Sequence, residues 1–339
     1  MRDNALENRL SQHRVSIMEI TVGTFNLNNL FSRFNFKARV DQIPEEERDI
    51  TVSFEFTEEG DYWFRTFRGR LIQPMPEEQR KTLAERIQAI DVDVLAVQEV
   101  EDIEALRDFN RFHLDRMYRH VALLEGNDAR FIDVGVLSKL PLGAVTSWQH
   151  EVHPADPARP VFARDLLEVD VFNSSRTKRL FTLYNNHLTS QFVDPGTRDK
   201  PAASAAKALR RVRQSETVAR IVEARTRPNS PYLIVGDMND TPQSAPLQPL
   251  AQAPRLGLVD GLADPEETRP AKADIPPPAT KAWTHRFKES GQPARYELFD
   301  QIWLGPNLAA KQTGAFIERR TKHSGDGSDH DPAWVVVNL

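Results

Sequence analysis

The sequence predicts an α/β fold. Three observations carry that prediction. Strand-like runs of β-branched and apolar residues recur along the chain and alternate with amphipathic helical stretches. Several of those strands turn abruptly polar at their C-terminal ends, where sites form in α/β sheets. The 339 residues fit one large α/β domain or two smaller ones, with ample length for a sizeable core.

Composition removes several classes of function. The chain has no cysteine, which excludes disulfides, thiolate metal sites and cysteine nucleophiles. A formal net charge of −5 lacks the basic footprint of many nucleic-acid binders, although the charge that matters is local. No apolar run approaches transmembrane length, and residues 1–17 lack the apolar core of a signal peptide. The expectation is therefore a cytoplasmic protein with no membrane span, a monomer by default. Residues 1–17 read as a polar extension and 18–339 as one domain, since no stretch has linker character.

Residues 19–27 (EITVGTFNL) predict the first strand, ending at Asn26 among further asparagines. Asparagine there forms turns, or aims its amide carbonyl at a cation or phosphate. Residues 50–56 (ITVSFEF) and 62–71 (YWFRTFRGRL) alternate around a turn and predict a β-hairpin insertion near 50–72. Its Tyr62, Phe64 and Phe67, interleaved with Arg65, Arg68 and Arg70, are either a half-buried hairpin with a charged face or a surface for bases and phosphates. Residues 76–90 predict a helix with proline and acids in its first turn. Residues 91–100 (DVDVLAVQEV) form an apolar strand until Gln98 and Glu99; a glutamate there needs a partner or a metal. Residues 102–118 predict a second helix.

Residues 130–140 and 163–172 predict further strands, and 180–188 (LFTLYNNHL) another, apolar until Asn185, Asn186 and His187. Residues 205–226 predict a strongly basic helix carrying Lys207, Arg210, Arg211 and Arg213. Most of that charge reads as a solvated face, and its first half follows the His187 loop, where it could steer a polyanion. Residues 232–235 (YLIV) run into Gly236-Asp237-Met238-Asn239. At extended spacing Asp237 and Asn239 point the same way, an acid and an amide suited to orienting water and holding phosphoryl oxygens. Residues 264–282, rich in proline and charge, predict a long loop. Strands follow at 284–287 and 296–304 (YELFDQIWL), where Asp300 interrupts an apolar run and His330 is its natural partner. Residues 325–332 (GDGSDHDP) lead into the last strand and place Asp329 and His330 at its mouth. By itself this is either a capped turn or an acid for a cation beside an imidazole for proton transfer.

Taken in order, the segments TFNLNNLF, LAVQEVED, FARDLLEVDV, YNNHLTS, IVGDMNDTP, LFDQI and GSDHDPAW resemble the endonuclease/exonuclease/phosphatase superfamily. That group includes DNase I-like nucleases, abasic-site endonucleases, inositol polyphosphate 5-phosphatases and neutral sphingomyelinases. The resemblance implies a four-layer α/β/β/α sandwich with two central, mostly antiparallel mixed sheets. It implies Glu99 as principal ligand of a divalent cation, Mg2+ or Mn2+, with Asn26 and Asp329 completing or supporting that site. It further implies Asp237 and Asn239 acting on the attacking water and phosphate, His330 held by Asp300, His187 and Asn186 on phosphoryl oxygens, and Arg164 on phosphate. Asp237 and His330 share the general-base assignment. Two departures from the family pattern stand out: a long segment precedes the helix before Glu99, and His187 is followed by Leu-Thr-Ser, where the resemblance to many bacterial members implies Leu-Lys-Ser.

The functional expectation is a metal-dependent phosphodiesterase acting on nucleic acid, DNA first and RNA second. The alternative is a hydrolase of a small phosphoester such as a phosphoinositide, a nucleotide or a sphingomyelin-like headgroup. Support for the nuclease comes from Arg164, the Arg/aromatic hairpin, residues 207–213 and the basic run 319–322. The filled chemical positions argue against a binding-only member.

Overall fold

A computed structural model describes residues 18–31, 75–128, 130–269, 278–288, 291–321 and 326–339. The N-terminal extension, the hairpin expected near 50–72, and Lys322 lie outside the described residues.

Among the described residues, β1 (Glu19–Leu30) is followed by helix α1 (Glu77–Ile90), β2 (Val94–Val100), helix α2 (Ile103–Phe112), β3 (His120–Leu123) and β4 (Asp133–Ser138). Next come β5 (Leu142–Ser147), the hairpin of β6 (Val152–His153) and β7 (Asp156–Pro160), then β8 (Leu166–Phe172) and β9 (Arg179–His187). Helix α3 (Lys200–Arg225) leads to β10 (Tyr232–Asp237), β11 (Val259–Asp260) and β12 (Glu266–Arg269). The chain closes with β13 (His285–Phe287), β14 (Arg295–Glu297), β15 (Asp300–Leu304), β16 (Gln312–Glu318) and β17 (Ala333–Asn338).

Two mixed sheets form the centre. One has the order β12-β16-β17-β1-β2-β4-β3, the other β11-β15-β10-β9-β8-β5. Most neighbours are antiparallel, but β1/β2 and β12/β16 run parallel in the first sheet, and β9/β10 in the second. Alternate residues face the space between the sheets, where Val22, Val94 and Val134 meet Val169, Leu183, Val235 and Ile302. On the outer face of the first sheet, Leu83 and Ile87 of α1 and Phe109 of α2 cover Phe25, Leu95 and Val97. On the outer face of the second, Val218, Ile221 and Val222 of α3 cover Tyr184, Ile234 and Trp303. The layers are thus α/β/β/α. Each buried aliphatic chain contributes roughly 1.5–3 kcal/mol relative to exposure.

The helix starts follow local chemistry. The Asp102 side chain accepts from the Ala105 N–H at 2.7 Å to cap α2, and Asp199 accepts from the Ala202 N–H at 3.0 Å to cap α3. The second helix ends at Phe112, short of the expected 118, because Asp115 and Arg116 take positive φ. The run 296–304 divides into β14 and β15 at Leu298 and Phe299. The loop expected at 264–282 begins as strand β12, paired parallel with β16.

No helix among the described residues is long and apolar enough to cross a membrane.

Candidate active site

The parallel pairs β1/β2 and β9/β10 aim their C-terminal ends at one place. Strand alternation puts Asn26 on the inner face of β1, His187 on that of β9 and Asp237 on that of β10. Asp237 pairs in register with both His187 and Asp300. Gly236 makes this close crossing feasible: a Cβ there would lie 2.0 Å from the Asn186 carbonyl oxygen, and its φ is +128°. One layer below, Gln98 Nε2 donates to Asn185 Oδ1 at 2.8 Å, and Asn185 Nδ2 donates to the Val97 and Gly135 carbonyls at 3.0 and 2.8 Å. This polar staple joins the two sheets beneath the site.

Glu99 reaches the site by breaking the alternation. Strict period two would turn it toward the helices, with Leu95 and Val97. Instead its φ is 61°, and the β2–β4 register shifts between Gln98 and Val100. Its Oε1 lies 3.9 Å from His187 Nε2. Burial, and then the charge of Asp329, push its pKa up, while Arg164, His330 and a hydrogen bond from Asn26 oppose that rise.

Asp237 is the hub. Its Oδ1 accepts from the Asn239 N–H at 2.8 Å and its Oδ2 from Asn26 Nδ2 at 3.0 Å. The same Oδ2 lies 3.4 Å from His187 Nε2 and 3.9 Å from His330 Nε2. Burial pushes its pKa up, against the opposing charge of His330. Asn239, at φ 51°, spends its own Nδ2 on the Leu188 carbonyl at 3.1 Å, so it holds Asp237 and the strand end together. The Asn26 Oδ1 accepts from the Asn28 N–H at 2.9 Å.

His330 Nδ1 lies 2.6 Å from Asp300 Oδ2. Burial alone would lower the His330 pKa, but Asp300 and Asp237 outweigh it and raise it to about 10. His187 is driven the other way, well below its ordinary value, by burial and then by Arg164, His330 and Arg130. One imidazole is thus held charged and its neighbour neutral. The loop carrying His330 is fixed from below. Ser328 Oγ donates to the Asn26 carbonyl at 2.7 Å, and buried Arg86 of α1 bonds Asp331 at 3.1 Å, Glu318 at 2.7 Å and the His330 carbonyl at 3.3 Å.

Cations line the opposite wall. Arg164, 4% exposed, donates to the Leu188 carbonyl at 3.1 Å and sets its Nε 3.2 Å from Asp128 Oδ2. Arg130 shares Asp128 at 3.0 Å, and its charge reaches both Glu99 and His187.

Asn26, Glu99, Arg164, His187, Asp237, Asn239, Asp300 and His330 therefore converge. Asp329, with its side chain 55% exposed, stands at the mouth, near Glu99 and 3.9 Å from His285 Nε2. Asn186 does not join them by a side-chain bond: the pleat turns it away from His187, and its Nδ2 meets the Tyr184 carbonyl at 3.4 Å. Arg319 and Arg320, expected among the cations for nucleic acid, are buried. Both pair with Asp331, at 3.4 and 2.9 Å. Three participants escaped the sequence reading. Arg130 lies in a turn that local pattern does not mark. His285 faces His330 across an isolated bridge, with ring centroids 4.9 Å apart. Asp331 adjoins the Asp329-His330 pair and carried a signal as the third polar residue of that run.

The sequence model of the Endonuclease/Exonuclease/phosphatase family matches residues 23–330. Comparison with curated protein sequences gives no match. Among solved structures, an AP endonuclease from Archaeoglobus fulgidus is 15% identical, with a TM-score of 0.56 over 94% of this chain and 100% of that one. A mannosyl-6-phosphatase from Bacteroides thetaiotaomicron is 14% identical, with a TM-score of 0.54 over 94% and 99%. D. rerio TDP2 complexed with single strand DNA product is 14% identical, with a TM-score of 0.54 over 95% and 99%. At such identities the likeness is one of fold.

Proposed function

The chain belongs to the Endonuclease/Exonuclease/phosphatase family, and from that premise we propose a divalent-metal-dependent phosphodiesterase that hydrolyses nucleic acid, DNA first, by in-line attack of water. The observation that carries this reading is the Asp237 carboxylate set between two imidazoles, 3.4 Å from His187 and 3.9 Å from His330. Acceptor, charged donor and neutral donor then surround one position a phosphate can occupy.

The residues fit a hard divalent cation, Mg2+ or Mn2+. Burial and the nearby charge of Asp329 raise the cost of ionising Glu99, which a cation relieves, and the donor set is oxygen-rich and lacks thiolate. Glu99 and Asp329 would hold the ion, with Asn26 fixing the Glu99 carboxylate. When bound, such an ion offsets negative charge growing on the phosphoryl oxygens.

Asp237 takes the proton of the attacking water, since His330 is already protonated at neutral pH. Asn26 and the Asn239 N–H keep its carboxylate aimed. His330, braced by Asp300, donates toward the phosphate oxygens, and neutral His187 adds a second N–H. Arg164 and Arg130 offset the charge of the flanking phosphate.

A small phosphoester is the second reading. The solved structure of a mannosyl-6-phosphatase covers about as much of the chain as the AP endonuclease and the TDP2 complexed with single strand DNA product, and burial of Arg319 and Arg320 removes part of the basic surface.

Supercoiled plasmid and single-stranded DNA, incubated with wild type and Asp237→Ala under Mg2+, Mn2+ or chelator, test the proposal. Metal-dependent cleavage lost in the variant is the expected result. No cleavage under either metal, with phosphate release from a small ester, would transfer the assignment to the second reading.

A further inference from the structure

A cleft of about 380 Å³ opens between β7 and the first half of α3, a volume within the range of small-ligand sites. Pro160, Val161 and Leu209 give it an apolar floor. Its rim carries Arg159, Lys207, Arg210 and Arg213 against one carboxylate, Asp156. Asp156 pairs with Arg159 and with Arg213, each at 2.9 Å. Among the described residues neither Lys207 nor Arg210 makes a close ion pair, although the charges of Asp128 and Asp156 act on Arg210; Lys207 bonds the Phe192 carbonyl and Arg210 the Val161 carbonyl at 3.4 Å.

The cleft adjoins the site. Thr189 lines it and lies two residues beyond His187, about 7 Å of extended chain. The Thr189 carbonyl accepts from Arg211 at 3.1 Å, and the neighbouring Leu188 carbonyl accepts from Arg164 and Asn239. Gln191 Nε2 reaches the Asn239 carbonyl at 2.9 Å, and the next residue, Phe192, is 65% exposed and accepts through its carbonyl from Lys207 of the cleft.

We propose that this cleft is a subsite for one nucleotide of the substrate strand beside the scissile phosphate, with its base on the apolar floor and its phosphate on Lys207 and Arg210. The inference rests on the nucleic-acid reading above and deepens it. An apolar floor with cationic edges suits a nucleotide within a strand, because apolar contact with the base and ionic contact with its phosphate act together on successive units. A bare phosphate monoester would leave the floor unused.

The test measures binding of oligodeoxythymidylates, from dinucleotide to hexanucleotide, to the Asp237→Asn protein by fluorescence anisotropy. Affinity should rise about tenfold as the strand lengthens past the dinucleotide, and Arg210→Glu in the same background should remove that rise. Leu209→Glu, at a half-exposed position, should do the same by placing a carboxylate on the floor. The same length dependence in all three proteins overturns the subsite. So does a thymidine mononucleotide that competes as well as the strand, which would mark a free-nucleotide site. Length-dependent binding without hydrolysis of any phosphoester by the wild type supports the subsite and sinks the catalytic reading alone. Hydrolysis of bis(p-nitrophenyl) phosphate with no oligonucleotide binding sinks the subsite and the nucleic-acid substrate while leaving the catalytic kit intact.

Discussion

Asp300 and His330 meet through a 2.6 Å contact between Oδ2 and Nδ1, both groups buried and thirty residues apart in the chain. The contact leaves Nε2 as the only ring nitrogen turned to Asp237, and it keeps the imidazole charged. Asp300→Asn preserves the shape and removes that charge. It should lower kcat by about 10²–10⁴-fold, as loss of an imidazole's orienting carboxylate does elsewhere. The His330 titration, followed by NMR, should fall from about 10 toward the ordinary histidine range. An unchanged titration would remove Asp300 from this role.

Asn239 bonds Asp237 through its backbone and Leu188 through its side chain. Asn239→Ala keeps the first bond and loses the second. A drop in kcat of about tenfold with little change in KM is the expected split for a residue that positions the acceptor. Asp237→Ala should instead abolish turnover.

Glu99 and Asp329 repel across the mouth of the site. Glu99→Gln removes one of the two charges. The metal-free variant should melt about 1–3 °C higher than wild type, and the stabilisation that wild type gains from added Mg2+ or Mn2+ should disappear. Calorimetric scans with and without each ion measure both effects. A variant that keeps its metal-dependent shift would exclude Glu99 as a ligand.

Asp331 collects Arg86, Arg319 and Arg320 in the interior. Asp331→Asn leaves three guanidinium groups short of charge and should cost about 3–5 kcal/mol, read from urea unfolding. The loop with Asp329 and His330 hangs from this network, so activity should fall along with stability.

Asp133, opposite Val100 in the β2–β4 register, supplies a pH dependence of stability. Burial raises its pKa from 3.8 to about 7, although its Oδ1 accepts the Gly126 N–H at 2.7 Å. Between those values the folded protein holds a proton that the unfolded chain has released. Its contribution is therefore most favourable below the unfolded value and declines as pH rises toward about 7. Asp133→Asn should flatten the fall in stability across that window, measured as urea midpoints against pH.

Much of the site was legible because strand alternation is local. The apolar runs before Asn26, His187 and Asp237 show which residues end a buried strand, and period two then puts those three on inner faces. The end of β16 was not legible: Glu318 and the following Arg319 look like surface, and only their partners, Arg86 on α1 and Asp331 beyond the next loop, make burial tolerable. Glu99 illustrates both sides. Its isolation at the end of an apolar strand singled it out, yet simple alternation would have sent it to the helix layer.

By itself, the sequence determined the α/β class, the order of the polar strand ends and the identity of the acids and imidazoles gathered there. Only the tertiary structure decided that a bulge turns Glu99 inward, that the pleat turns Asn186 outward, that Arg319 and Arg320 serve the interior, and that Arg130 and His285 belong beside the site. The division has one physical cause. Backbone periodicity acts over a few residues, whereas the pairing of a buried charge depends on groups that only folding brings within about 4 Å.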